Sequence, residues 1–350
     1  MSGIIGHTMY AILASKAAEE RKLPISPIVN RHFSSYLAGS YLGCDVQVVP
    51  AAVIEETGEE IGFCAARVGD EAHGKPFVPW RLELEGREYT PLELHHLFYG
   101  RAHLLFGWEK DEGDKKIGWD QLPSYLAAVA GDALELFGPG HRQLAYVLGW
   151  ITHVVGDSLI KSVQPGVDLV LLNGKYTPQN RPIQDLVTFH EIGRKELHLD
   201  WAALLADAVD TPVEPIQPHF MRAATPGGQL SWYVPDGWKP ELQPLLLQLL
   251  AVNRHYQRIR NRRILDELAL CGGPDGPQCD PKLSEKTGGL SYPEMVKMAE
   301  AANFRHALWQ IAEAVADLFE QVIEQQPLLQ EFPTDNGPTW AELTKRWQVK

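Results

Sequence analysis

The chain has 350 residues, 45% of them apolar, and a formal net charge of −13, so it can bury a large core behind a surface that repels phosphate backbones. Long nucleic acid is therefore excluded as a partner unless a local basic patch outweighs the rest. Cys44, Cys64, Cys271 and Cys279 contain no Cys-x-x-Cys pair and make no disulfide framework; the first twenty residues lack the basic start of a signal peptide, and no apolar run is long enough for a bilayer, so the expectation is a cytoplasmic protein without a membrane anchor.

In chain order, Thr8–Arg21 sets apolar residues at helical spacing and is rich in alanine, which predicts a helix packed tightly among others. His7 stands at its entrance after Gly6, where a histidine is either a surface residue of the helix start or a ligand. Pro24 and Pro27 punctuate a loop, and Ile28 opens a second apolar segment ending in Ser40-Tyr41-Leu42-Gly43-Cys44-Asp45. Asp45, set between apolar runs, is a turn residue or a ligand. From Ala51 to Arg87 the texture changes. Glu55, Glu56, Glu59 and Glu60 cluster, glycines recur, and short alternating runs such as Trp80-Arg81-Leu82-Glu83-Leu84 predict strand, a small hairpin leaving a helical body. Thr90-Pro91-Leu92-Glu93 has the form of a capping box with proline at the first helical position. The helix it opens carries His95, His96 and His103; His96 and His103 share a face, and His95 is turned from it by about 100°.

Leu122–Phe137 reads as an amphipathic helix closed by Gly138-Pro139-Gly140. The next stretch, Leu144–Val163, is almost wholly apolar, yet His153 and Asp157 lie four residues apart in its middle and Lys161 continues the row on one helical face. Taking even a neutral polar group out of water uncompensated costs roughly 2–7 kcal/mol, so the pair is either bonded to itself or held by a metal ion. Gly149 and Gly156 let a neighbouring helix come close. Ile183–Ala208 is predicted helical and holds His190, Glu191, Glu196, His198 and Asp200. Pro212–Pro240, with Trp232, Tyr233 and Trp238, is a long loop. Glu241–Leu270 is helical, with Arg254, Arg258 and Arg262 spaced four apart to hold an anionic group or to pair with local acids. Ser291-Tyr292-Pro293 opens a last long helix that runs to about Gln326. The expected architecture is mostly α: a single helical domain over 1–350 with a small β excursion near 51–87 and a C-terminal helical extension from about 240.

Gly6-His7, the segment Gly39–Asp45, His95-His96-Leu97-Phe98-Tyr99 and Leu148–Asp157 together, in this order over roughly the first 200 residues, resemble the zinc-dependent phospholipase C family, related in fold to the single-strand nucleases with a trinuclear zinc site. The resemblance implies a phospholipase C-like helical bundle. In it Asp45, His96 (or His95), His153 and Asp157 surround one metal, Asp157 bridges to a second held by His7, and His190 falls in the family's later metal-binding segment. Imidazoles and carboxylates without thiolate suit zinc, and iron or manganese nearly as well. The implied activity is hydrolysis of a phosphoester or related small, anionic substrate, with Asp45 and Lys161 in catalytic roles. Three departures stand out. Lys161 replaces a further family histidine and would supply positive charge there or neutralise a substrate anion; His190 is followed four positions on by Arg194, leaving Glu196 or Asp200 to stand in for an acid; and only Met1–Gly6 precede His7, where secreted members use the mature amino terminus as a ligand. Two rival readings are an iron-dependent oxidase or oxygenase on the same scaffold, and a non-catalytic member that binds a partner through the 212–240 loop.

Overall fold

A computed structural model of the chain describes residues 3–41, 49–63, 68–94, 97, 122–137, 140–160, 180–211, 243–269, 285–326 and 337–348. Among them the protein is mostly helical with a small antiparallel sheet. The elements begin with α1 (Ile4–Glu20), α2 (Ser26–Arg31), α3 (Phe33–Tyr41), β1 (Pro50–Ile54), β2 (Glu60–Phe63), α4 (Val68–Ala72), β3 (Phe77–Pro79), β4 (Leu82–Leu84), β5 (Arg87–Tyr89) and α5 (Pro91–Leu94). They continue with α6 (Leu122–Phe137), α7 (His141–Leu159), α8 (Asn180–Val187), a π-helical stretch (Thr188–Glu196), α9 (Trp201–Asp210), α10 (Gln243–Ala269), α11 (Tyr292–Ala301), α12 (Phe304–Gln325) and α13 (Trp340–Thr344). The chain forms two compact units, one of Met1–Tyr41, Leu105–Glu214 and Asn261–Lys350, the other of Leu42–Leu104 and Pro215–Arg260. No helix of the described residues is long and apolar enough to cross a membrane.

The first unit is built around α7, buried continuously from Leu144 to Leu159. A helix covered on every side must be apolar on every side, which is why this stretch lacks the amphipathic stripe of a surface helix. α1 is buried likewise from Ile4 to Ser15, and α12 packs across α1, α6 and α7 with Ala307, Leu308, Ile311, Ala312, Val315 and Phe319 on its buried face. α3 runs against α7 at backbone distance: a Cβ on Gly39 would enter the Tyr146 carbonyl, and one on Gly149 would enter the Tyr36 carbonyl.

Two helices expected as single runs are interrupted. The last long helix breaks at Asn303, which takes a left-handed φ of 59° between α11 and α12, a conformation asparagine tolerates better than most residues. The 183–208 run becomes α8, the π-helical stretch and α9. His198 turns the chain with φ 53°, and the Asp200 carboxylate accepts the backbone N–H groups of Ala202 and Ala203 at 3.1 Å each, starting α9 afresh. The apolar segment that Ile28 opens lies in α2 and α3, divided at His32.

In the second unit β1 pairs antiparallel with both β2 and β3, Ala52 standing opposite Ile61 on one side and Pro79 on the other. β4 and β5 form a separate hairpin whose two-residue loop, Glu85-Gly86, has both φ angles positive (51° and 77°), the primed turn that matches strand twist. The β excursion is thus a three-stranded sheet plus a hairpin, more than the one hairpin expected. Ala52, Ile54, Ile61 and Ala72 make its small core, and Tyr256 on α10 donates to Glu60 at 2.9 Å. Thr90 and Glu93 form the anticipated reciprocal cap of α5, with bonds of 2.7 and 3.1 Å.

Candidate metal centre

Three buried side chains of the first unit converge: His7 from the first turn of α1, and His153 and Asp157 from the middle of α7. One ligand atom from each lies within 4.8 Å of the others. Relative exposures of 5%, 3% and 5% leave no bulk water to solvate them. The α-helical repeat explains the α7 pair, since residues four apart stack on one face. Glycines explain the rest, because Gly149, His153 and Gly156 share that face. At Gly149 the α3 backbone comes in close enough for the Ser40 carbonyl to meet His153. At Gly156 the Tyr10 ring fills the space a side chain would need, which brings α1 down onto α7, and Tyr10 in turn stands edge-on to the His7 ring at 5.8 Å.

His153 Nδ1 lies 2.7 Å from the Ser40 carbonyl oxygen. That oxygen can only accept, so Nδ1 carries the proton and Nε2 is the nitrogen with the lone pair, the tautomer a metal-binding histidine needs. The His7 and His153 rings stack at 4.1 Å, 12° from parallel, presenting their edges side by side. His7 Nε2 and Asp157 Oδ1 are 3.6 Å apart, longer than a hydrogen bond and close to the spacing of about 3.3 Å between donors on one tetrahedral zinc. Two imidazoles and a carboxylate fit zinc, and they equally match the two-histidine, one-carboxylate set of non-haem iron. The residues present could therefore hold a metal ion, and their chemistry does not select which.

Among the other residues singled out from sequence, Asp45, His95, His96 and Lys161, and the 212–240 loop, lie outside the described residues. His190 is placed apart from the three. In the π-helical stretch the turn is wider than in an α-helix, and its Nε2 donates to the Leu268 carbonyl at 2.8 Å while its ring meets the edges of Phe189 and Tyr292. Burial pushes its pKa below the ordinary value. Glu196 and Asp200 lie outside the converging group found among the described residues: Glu196 pairs with Arg305 and Asp200 caps α9. Glu191 is held by Lys195 at 2.6 Å and by the Tyr292 hydroxyl at 2.5 Å.

Two supports of the centre were not anticipated from sequence. One is the Ser40 carbonyl, a backbone group that no side-chain pattern reveals. The other is Asp185 of α8, whose carboxylate accepts the Gly6 N–H beside His7. Its signal is indirect: the first turn of α1 contains no acid of its own, and its N-cap, Gly3, has no side chain to cap with. Burial raises the Asp185 pKa, opposed by Arg181 and by the Gly6 bond. Arg181 Nε lies 3.6 Å from the carboxylate. No protein-family model, curated protein or solved structure matches the chain.

Proposed function

We propose that the protein is a metal-dependent hydrolase acting on a phosphoester or related small substrate, with His7, His153 and Asp157 holding the ion. The observation that carries this reading is the convergence of three buried donors, with His153 fixed by Ser40 in the tautomer that leaves Nε2 for coordination. When bound, a divalent ion supplies electrophilic stabilisation of a phosphoryl oxygen and hydroxide near neutral pH. The chain's part is to exclude bulk water from the donors and to orient them before the ion arrives. The phosphoester is favoured by the resemblance of the His7, Gly39–Asp45 and Leu148–Asp157 segments to the phospholipase C family. The net charge of −13 argues for a small substrate over a long polyanion.

The test is elemental analysis of protein purified without added metal, coupled to hydrolysis of a chromogenic phosphodiester. The expected result is a stoichiometric divalent ion and turnover that both disappear in His153→Ala. Protein that neither retains nor takes up a metal, or that hydrolyses equally well as the His153→Ala variant, would overturn the reading. The donor set also supports a second reading, an iron-dependent oxygenase, because two histidines and one carboxylate are its usual ligands. Stoichiometric iron with oxygen consumption, and no phosphodiester turnover, would favour it.

A further inference from the structure

We infer that Asp185 is a positioning residue for the metal centre: through the Gly6 N–H it fixes the first turn of α1, and with it the place where His7 presents its imidazole. This rests on the metal-binding reading above. The three donors are not held equally. His153 and Asp157 sit mid-helix in α7 with turns on either side, whereas the bond from His7 N–H to the Gly3 carbonyl, at 3.0 Å, is where the α1 ladder begins. A helix leaves its first N–H groups without intrahelical partners, and its ends fray first. If that turn opens, His7 is the donor that loses its place.

The sequence of α1 offers nothing local to prevent this. Its N-cap is Gly3, in extended backbone without a side-chain cap, and its first turn has no acid. Asp185 supplies from another helix what the turn lacks, an oxygen for the Gly6 N–H and a negative charge at the positive end of the helix dipole. Gly3 makes room for it: a Cβ there would lie 2.6 Å from Asp185 Oδ2 and 3.0 Å from the Arg181 guanidinium. Arg181, one turn before Asp185 on α8, balances the carboxylate. Asp185 is not among the three residues whose ligand atoms converge, so its action on the ion runs through His7.

The experiment is a cobalt(II) titration of the full chain, followed by the visible absorption of the bound ion, with amide hydrogen exchange at Gly6 measured on the metal-free protein. Asp185→Ala is expected to weaken cobalt binding about tenfold, the scale of losing an outer partner of a ligand, and to accelerate Gly6 exchange. Asp185→Asn keeps an oxygen that accepts the Gly6 N–H and is expected to stay close to wild type in both. Unchanged cobalt affinity or Gly6 exchange in Asp185→Ala overturns the inference, as does an Asp185→Asn variant as weak as Asp185→Ala. Should Asp185→Ala fail to fold, Gly3→Ala, which crowds the carboxylate from its seat, is expected to weaken cobalt binding similarly, and wild-type binding there is the contrary result. A wild-type chain that binds no cobalt removes the metal reading, while the Gly6 exchange rates still decide whether Asp185 holds the turn.

Discussion

His153 and His190 are both buried, and each has one ring nitrogen against a backbone carbonyl, of Ser40 and of Leu268 respectively. What separates them is what else the ring meets. The His153 ring stacks on His7 in the group that Asp157 completes, whereas the His190 ring is boxed by Phe189 and Tyr292. Burial holds the His190 pKa below 6.5, its ordinary value. Below pH 6.5 the unfolded chain therefore binds a proton that the folded chain refuses. The stability His190 contributes is present above that pH and is lost as pH falls toward the depressed folded value. Replacing His190 with Gln, which keeps a donor for Leu268, should leave metal stoichiometry unchanged and flatten the decline of Tm below pH 6.5. Loss of the metal from His190→Gln would instead make His190 a ligand. At this scale the sequence was most legible where polarity was out of place: a His and an Asp four apart in an apolar run call for compensation, and the structure brings His7 to them. For His190 the sign in the residue order is Arg194, standing four positions on where the resemblance implies an acid, while its seat against Leu268, Phe189 and Tyr292 lies in a widened helix that side-chain spacing does not encode.

Among the elements, the α3–α7 crossing decides whether the donors are supported. Gly39 meets the Tyr146 carbonyl and Gly149 meets the Tyr36 carbonyl, so neither helix can gain a side chain there without moving the other. Tyr36 also exchanges a hydrogen bond with Thr152 at 2.9 Å, next to His153, whose own ring meets the Ser40 carbonyl of the same helix. Gly149→Ala must push α3 outward and carry the Ser40 carbonyl away from His153. Overpacking of this kind costs about 1–3 kcal/mol or more, which outweighs the roughly 1 kcal/mol by which helix propensity favours alanine over glycine. The expected outcome is a lower urea midpoint together with weaker metal binding. A variant destabilised in urea but with full metal affinity would show that the Ser40 bond is dispensable. Helices whose apolar period continues unbroken, such as α6 and α7, could be delimited from sequence within a few residues. The interruptions at His32, His198 and Asn303 could not, because each is a single residue adopting a turn that tertiary packing makes worthwhile.

Across the first unit, segments far apart in sequence depend on one another. The 337–348 segment closes over α1 and α3: Glu19 accepts the Trp340 N–H at 2.6 Å and Asn30 Nδ2 at 2.5 Å, Phe33 touches the rings of Trp340 and Trp347, and Trp347 Nε1 donates to Asp207 at 2.8 Å. Phe33 begins the same α3 that ends at the Ser40 support, so α1, α3, α7 and the C-terminal segment form one connected packing around the three donors. An ion held by His7 and the α7 pair would tie the start of the chain to its middle and could be bound only by the folded unit, because the donors are scattered when the chain unfolds. Binding to the folded state alone stabilises it by about 2.7 kcal/mol at a metal concentration 100 times Kd, which in a unit of this size corresponds to a rise in Tm of about 5–10 °C. Calorimetry with zinc in that excess, compared with the chelator-stripped protein, should show such a rise in the wild type and none in Asp157→Asn, which lacks the anionic donor. An equal Tm with and without metal would mean that His7, His153 and Asp157 compensate their burial through protein groups alone.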